Sequence, residues 1–425
     1  MSMDLRALDR DVMAAARAVQ KHRALRARGE TAADPWLTHR PVARGSLYAE
    51  LAMTDVPTFE RELKDALLGW IAWLTVTRVV APAQEALVAQ LHTSDVVVTI
   101  ERTVRMSWRA AWQGMIMSAH PPVARAYCDG LASHGRQIAP LVRRLRDDKE
   151  EAMGRLFGAS TLLGLSLDES TVAATEAFLL ATEDLGRYVR KRPNGAEAWP
   201  LALEVLSMHG APEGWPARLS ASWLFDLFGA HMKGLDVDLR LPSLGSPSSF
   251  VRALAEFGSA FRLACCGPSA LARSPRFDDS HRFAATFASL AATESFQRRV
   301  LGVAPGAARD QARAVARSLV LSLRLACSTL LVSVGRADPA QASPDDELPR
   351  GLAGAWPIAR DDEAARVRGW MLGACLAIDL RERHDEDWWR NPRAWEDLRW
   401  GAMKPRALDA AAVKVCVTAL EGAAS

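Results

Sequence analysis

Residues 250–261 read Phe-Val-Arg-Ala-Leu-Ala-Glu-Phe-Gly-Ser-Ala-Phe. In a helix, Ala255 and Ser259 stand four residues apart on one face, with Glu256 beside the first. Two imidazoles at that spacing hold a zinc ion, and a glutamate in that place acts as general base on the metal-bound water. Here the carboxylate is present and both imidazoles are missing. Alanine has no donor atom, and a serine hydroxyl is a poor zinc ligand. The spacing is that of metal-assisted hydrolysis, and the residues cannot assemble it. Glu256 then reads as a hydrogen-bonded carboxylate, or as the partner of His281 or of an arginine.

Further segments fit the same frame. Phe277-Asp278-Asp279-Ser280-His281-Arg282-Phe283-Ala284-Ala285-Thr286-Phe287 follows as a second helix, then Phe296 to Val303 and a long helix from Ala307 to Val334. Near the C-terminus come Arg368 to Leu372 and Asp385-Glu386-Asp387-Trp388-Trp389-Arg390-Asn391-Pro392-Arg393-Ala394. Over roughly residues 195–400 the chain resembles the thimet-oligopeptidase-like zinc metallopeptidases, as a degenerate bacterial member. The resemblance implies a mainly α, zincin-like helical peptidase architecture, with two helical halves around a cleft and a few short strands. In that family two histidines and a glutamate from the next helix hold zinc. The corresponding lost positions are Ala255, Ser259 and His281, although the interval from Ser259 to His281 is about one helical turn shorter than in the family. Arg366 stands where such peptidases carry a tyrosine, and the chain's tyrosines are Tyr48, Tyr127 and Tyr188. Glu256 and Arg366 are therefore vestigial catalytic positions, and no zinc cofactor is expected.

With 425 residues, 49% hydrophobic and 24% charged, the composition is that of a globular protein large enough for two or three domains or one helical body. The expected division is residues 1–194 and 195–425 within one integrated body. Fifty-three Lys and Arg against 50 Asp and Glu give a net charge of +3, too balanced to predict a nucleic-acid partner. Cys128, Cys265, Cys266, Cys327, Cys375 and Cys416 lack C-x-x-C spacing and read as reduced thiols of a cytoplasmic protein. Residues 1–6 include Asp4 and no apolar run, so no secretory signal is expected. The most apolar windows, 66–76 and 318–334, fall short of the ~20 residues of a spanning helix, and Arg324 interrupts the second.

The elements that would position these residues are mostly amphipathic helices. Leu5 to Arg28 and Phe59 to Val80 show helical periodicity. A short strand is expected over 95–100, with helices from Ser107, from Pro122, over 143–156 and from 168 to about 189. Residues 190–195 read as a basic turn, and 335–357 as a surface loop. Leu235, Val237, Leu239 and Leu241 alternate with charged residues, the period of a half-buried strand. Asp278 and Asp279 read as helix caps, Cys265-Cys266 as small core residues, and Trp388, Trp389, Trp395 and Trp400 as C-terminal packing. No Ser-His-Asp or Cys-His arrangement can be assembled, and Gly302 to Gly306 lacks the lysine of a phosphate loop.

The expected function is that of a catalytically inactive metallopeptidase homologue. It would hold a peptide or protein segment in its cleft through Leu235, Val237, Leu239, Glu256 and His281. The alternative is a metallopeptidase or other hydrolase with a rearranged site around Glu256 and His281. Neither nucleic acid nor membrane is expected as a partner.

Overall fold

Asp4 starts the first helix: its Oδ1 accepts from the backbone N–H groups of Arg6 (3.0 Å) and Ala7 (3.1 Å), satisfying two of the donors a helix start leaves open. The structure, a computed structural model, describes residues 3–27, 29–117, 121–158, 169–183, 221–235, 247–267, 269–270, 278–333, 336, 363–400 and 407–424. Helices α1 (Leu5–Ala27), α2 (Trp36–His39), α3 (Gly45–Met53) and α4 (Arg61–Val79) share one core. Leu8, Val12, Ala15 and Val19 of α1 recur at helical spacing and are buried with Leu67, Trp70, Ile71 and Leu74 of α4.

Helix α5 (Ala81–Thr93) leads into an antiparallel hairpin of β1 (Asp95–Thr99) and β2 (Thr103–Ser107), with Val97 opposite Arg105. Val96 and Val98 are buried while Val97 is exposed, the alternation of a one-sided strand. The second strand has no counterpart in the sequence reading, because only Val104 and Met106 in it are apolar. Helices α6 (Trp108–Met117) and α7 (Pro121–Phe157) follow. The two helices expected at Pro122 and over 143–156 are one continuous element that carries Pro140 in its interior.

Helix α8 (Glu169–Ala181) precedes the expected boundary at residue 194, yet its Ala174 and Phe178 belong to the core of the C-terminal half. Two buried arginines hold it there. Arg324 Nη1 donates to the carbonyl of Leu179 (2.8 Å) and to Thr182 Oγ1 (2.5 Å). Arg368 donates to Thr171 Oγ1 from Nε (3.1 Å) and Nη2 (3.0 Å). Ala270 reaches the other way: it packs in the N-terminal core, and its N–H donates to Asp9 Oδ1 at 2.7 Å.

The C-terminal core is built by α9 (Ala221–Met232), α10 (Pro247–Cys266), α11 (Asp278–Ala288), α12 (Glu294–Arg299), α13 (Pro305–Ser333), α14 (Glu363–His384), α15 (Pro392–Trp400) and α16 (Ala410–Ala424). Helix α11 lies between α10 and α14. Two glycines set the spacing. A Cβ on Gly258 of α10 would stand 2.4 Å from the carbonyl oxygen of Phe283, and one on Gly373 of α14 would stand 2.4 Å from that of Arg282. Thr286 Oγ1 also donates to the carbonyl of Gly373 at 3.1 Å. Phe228, Phe257, Phe261, Phe287, Trp388 and Trp395 fill the space beside this contact with edge-to-face and tilted rings.

Three of the four expected C-terminal tryptophans are buried. Trp400 is 83% exposed, because five residues after Trp395 it points to another face of α15. Leu235 is half-buried in the turn after α9, its N–H donating to the carbonyl of Met232 at 2.9 Å. Residues 236–241 of the expected strand, the basic turn and nearly all of the 335–357 loop lie outside the described residues. Among the described residues no single helix is long and apolar enough to cross a membrane.

The close approach predicts a contrast between two glycines. Gly258→Ala should destabilise the protein by about 3 kcal/mol, since backbone must move to admit the methyl. Gly306→Ala, whose Cβ would meet nothing within 4 Å, should be neutral or stabilising by up to about 1 kcal/mol. Urea denaturation at equal m-value reads both.

Candidate functional site

Helices α10 and α11 run antiparallel, with Arg262 against Asp279 and Gly258 against Phe283. That register fixes which flanking residues share a side. Ser259 is one residue after the contact glycine and Ala255 three before it. In an antiparallel pair the residues at equal offsets lie on the same flank, so the α11 positions facing that side are Ala284, one after Phe283, and Ser280, three before it. Ala255 and Ser259 are half-buried, while Ser280 and Ala284 are buried.

His281 is two residues from both Asp279 and Phe283, the residues that touch α10, and so lies on the far side of α11 from Ala255 and Ser259. On this register Ala284, and not His281, shares the flank of Ala255 and Ser259. Glu256 is not buried: its side chain is 49% exposed and pairs with Arg252 of the preceding turn at 3.8 Å. Arg366 is half-buried on α14, with α11 between it and Glu256. Of the expected peptide-binding residues, Leu235 packs against the C-terminal core, and Val237 and Leu239 lie outside the described residues.

Between α10 and α11 the structure places a charged cluster that sequence reading did not single out. Asp279, expected as a cap, accepts from Arg262 Nε at 2.6 Å and Nη2 at 2.5 Å through Oδ2. Through Oδ1 it accepts from Arg282 Nη2 at 2.8 Å. Both guanidiniums lie over the Phe283 ring, 5.3 and 5.5 Å from its centre. Burial pulls the Arg282 guanidinium below its ordinary pKa, and Asp279 opposes that shift. The signal available in the sequence was spacing: Arg262 continues the 255, 259 face by three more residues.

The cysteines beside this cluster offer no metal donor set. Burial pushes the Cys265 thiol up to about 11 in spite of Arg262 and Arg399 nearby, so it stays protonated and a poor ligand. Cys266 ends α10, and Gly267 follows at φ +68°. Among the described residues no group of three or more His, Cys, Asp and Glu side chains could hold a metal ion. Ala255, Ser259, Ser280 and Ala284 supply no imidazole or carboxylate, so they do not fit zinc.

No protein-family profile and no curated protein matches this chain. Solved structures do. An assigned oligoendopeptidase F from Bacillus anthracis str. Ames superposes with a TM-score of 0.58 at 13% identity, over 89% of this chain and 81% of that one. Oligoendopeptidase-F from Enterococcus faecium gives a TM-score of 0.56 at 11% identity, over 99% of this chain and 90% of that one. The chain has the oligoendopeptidase F fold. The expected mainly α architecture with few short strands is therefore observed among the described residues, including those of the N-terminal half, where the sequence showed only helical periodicity. At these identities the oligoendopeptidase F likeness concerns the fold, and the site has to be judged on its own residues.

The two carboxylates near the site should respond differently to removal of their charge. Asp279→Asn leaves Arg262 and Arg282 facing each other and should cost about 2 kcal/mol, less than for a fully buried pair because Asp279 is 31% exposed. Glu256→Ala should change stability by less than about 0.5 kcal/mol. Urea denaturation midpoints distinguish the two.

Proposed function

We propose that this chain is a catalytically inactive protein of oligoendopeptidase F fold that holds a peptide or protein segment in the cleft between its helical halves. One observation carries the reading. The positions from which a zinc ion would have to be held contain Ala255, Ser259 and Ala284, and Glu256 beside them is turned to an arginine. A glutamate activates water for hydrolysis only when a metal or another group lowers the water's pKa. None of these side chains can do so. What persists is a helical body of peptidase shape, in which a bound segment would be neither polarised nor cut. Cytoplasmic residence, in keeping with the scattered reduced thiols, belongs to the same proposal.

The direct test is on tag-free protein. Metal analysis should find far less than one zinc per chain, and quenched fluorogenic peptides should remain intact with or without added zinc. Melting temperature should not change with a chelator, since a tightly held metal would stabilise the fold by mass action. Stoichiometric zinc with chelator-sensitive cleavage would overturn the reading and favour a hydrolase with a rearranged site.

The register makes a second prediction. Ala255→His, Ser259→His and Ala284→Glu together should create a three-ligand site with zinc affinity measurable by titration calorimetry. The same two histidines with His281→Glu should bind zinc at least tenfold more weakly, because residue 281 is on the wrong side of α11. Equal affinities would show that the flank assignment is mistaken.

A further inference from the structure

Ser259 and Arg262 stand on one face of α10, three residues apart and so about one turn from each other. This is the face that carries Ala255, the flank turned to the lost metal positions. Arg262 is held rigidly. Asp279 fixes Nε and Nη2, the Phe283 ring lies 5.3 Å beneath the guanidinium, and the side chain keeps 18% exposure. Ser259 is half-buried, and among the described residues its hydroxyl has no hydrogen-bond partner.

Charge adds to geometry. Arg262 and Arg282 share the Asp279 carboxylate, so two fixed cations meet one anion at the first turn of α11, where the helix dipole is also positive. Arg399 lies close enough to raise the local potential further, since it and Arg262 both favour the Cys265 thiolate. Its Nη2 is held by the carbonyls of His231 and Lys233. A half-buried cation of this kind, pre-oriented by a second residue, is suited to a carboxylate, which accepts charge-assisted N–H and O–H donors together.

We propose that Arg262 and Ser259 form an anchor for a carboxylate of the bound segment, with Asp279 and Arg282 as the residues that position Arg262. The ligand class is a peptide carboxylate, from the chain terminus or from an acidic side chain. This rests on the proposed peptide-holding function, and the test separates the two.

The probes are N-acetyl-leucine and its amide, measured by calorimetry on the full chain. The acid should bind and the amide should bind at least tenfold more weakly. Arg262→Gln should weaken the acid by about 10- to 100-fold, the worth of a charged hydrogen bond. Because that change also breaks the pair with Asp279, Ser259→Asp serves as a second variant: it supplies a carboxylate beside Arg262 without touching the pair, and should abolish binding of the acid in a folded protein. Equal binding of acid and amide, no binding of either, or undiminished binding of the acid to folded Ser259→Asp would overturn the anchor. Longer peptides then test the function itself. Free-acid peptides binding more tightly than their amides support a terminal carboxylate, and glutamate-containing amides competing equally well support a side-chain source. Longer peptides that bind alike as acid and amide, with no effect of an internal glutamate, would defeat the anchor and leave the peptide reading standing. If N-acetyl-leucine binds as expected and no longer peptide binds, the anchor stands and the peptide reading fails.

Discussion

Everything at the candidate site depends on how closely three helix backbones approach. Gly258 and Gly373 each bring their helix within 2.4 Å, measured to an imagined Cβ, of a carbonyl on α11. No side chain larger than hydrogen fits either place. With α11 gripped between α10 and α14, the positions beside the contact are fixed on its flanks, and the identity of a flanking residue follows from its offset. The aromatic rings packed next to this seam hold the helices at that distance. Dispersion contacts of this density are lost quickly when a gap opens.

Helices α10 and α11 are joined through an ion pair. Asp279 reaches across from α11 to Arg262 on α10 while also binding Arg282 of its own helix. An ion pair and a metal ion differ in what they can do. A zinc ion polarises water and carbonyl groups and leaves a coordination position open for substrate. A guanidinium offers fixed hydrogen-bond donors and a permanent charge but no Lewis acidity. The fold is compatible with either, which is why a shared architecture with oligoendopeptidase F does not carry over its chemistry.

Buried arginines also decide how the chain divides. Arg324 and Arg368, 2% and 8% exposed, spend their donors on the carbonyl and hydroxyl groups of α8. Charged groups in a core are tolerated only when hydrogen-bonded in this way. The consequence is that α8, which precedes the expected boundary at residue 194, is fastened to the C-terminal core. In the opposite sense Ala270 is drawn toward α1 by Asp9. The two halves are therefore interlocked rather than consecutive.

Local periodicity in the sequence was enough to place most helices, because burial of one face at 3.6-residue spacing depends on residues close together in the chain. Residue type alone showed that Ala255 offers zinc no donor atom and Ser259 only a poor one. Periodicity could not show β2, whose two apolar residues are half-buried where the strand meets β1, α5 and α6, nor the continuity of α7 through Pro140. It could not set His281 apart from Ala284, or show Asp279 as a bridge rather than a cap. Those outcomes are decided by which helix lies opposite and in what register, and that register is set by two glycine contacts between residues 25 and 91 positions apart in the chain. Long-range backbone packing of this kind leaves no periodic trace in sequence, so only the tertiary structure could settle it.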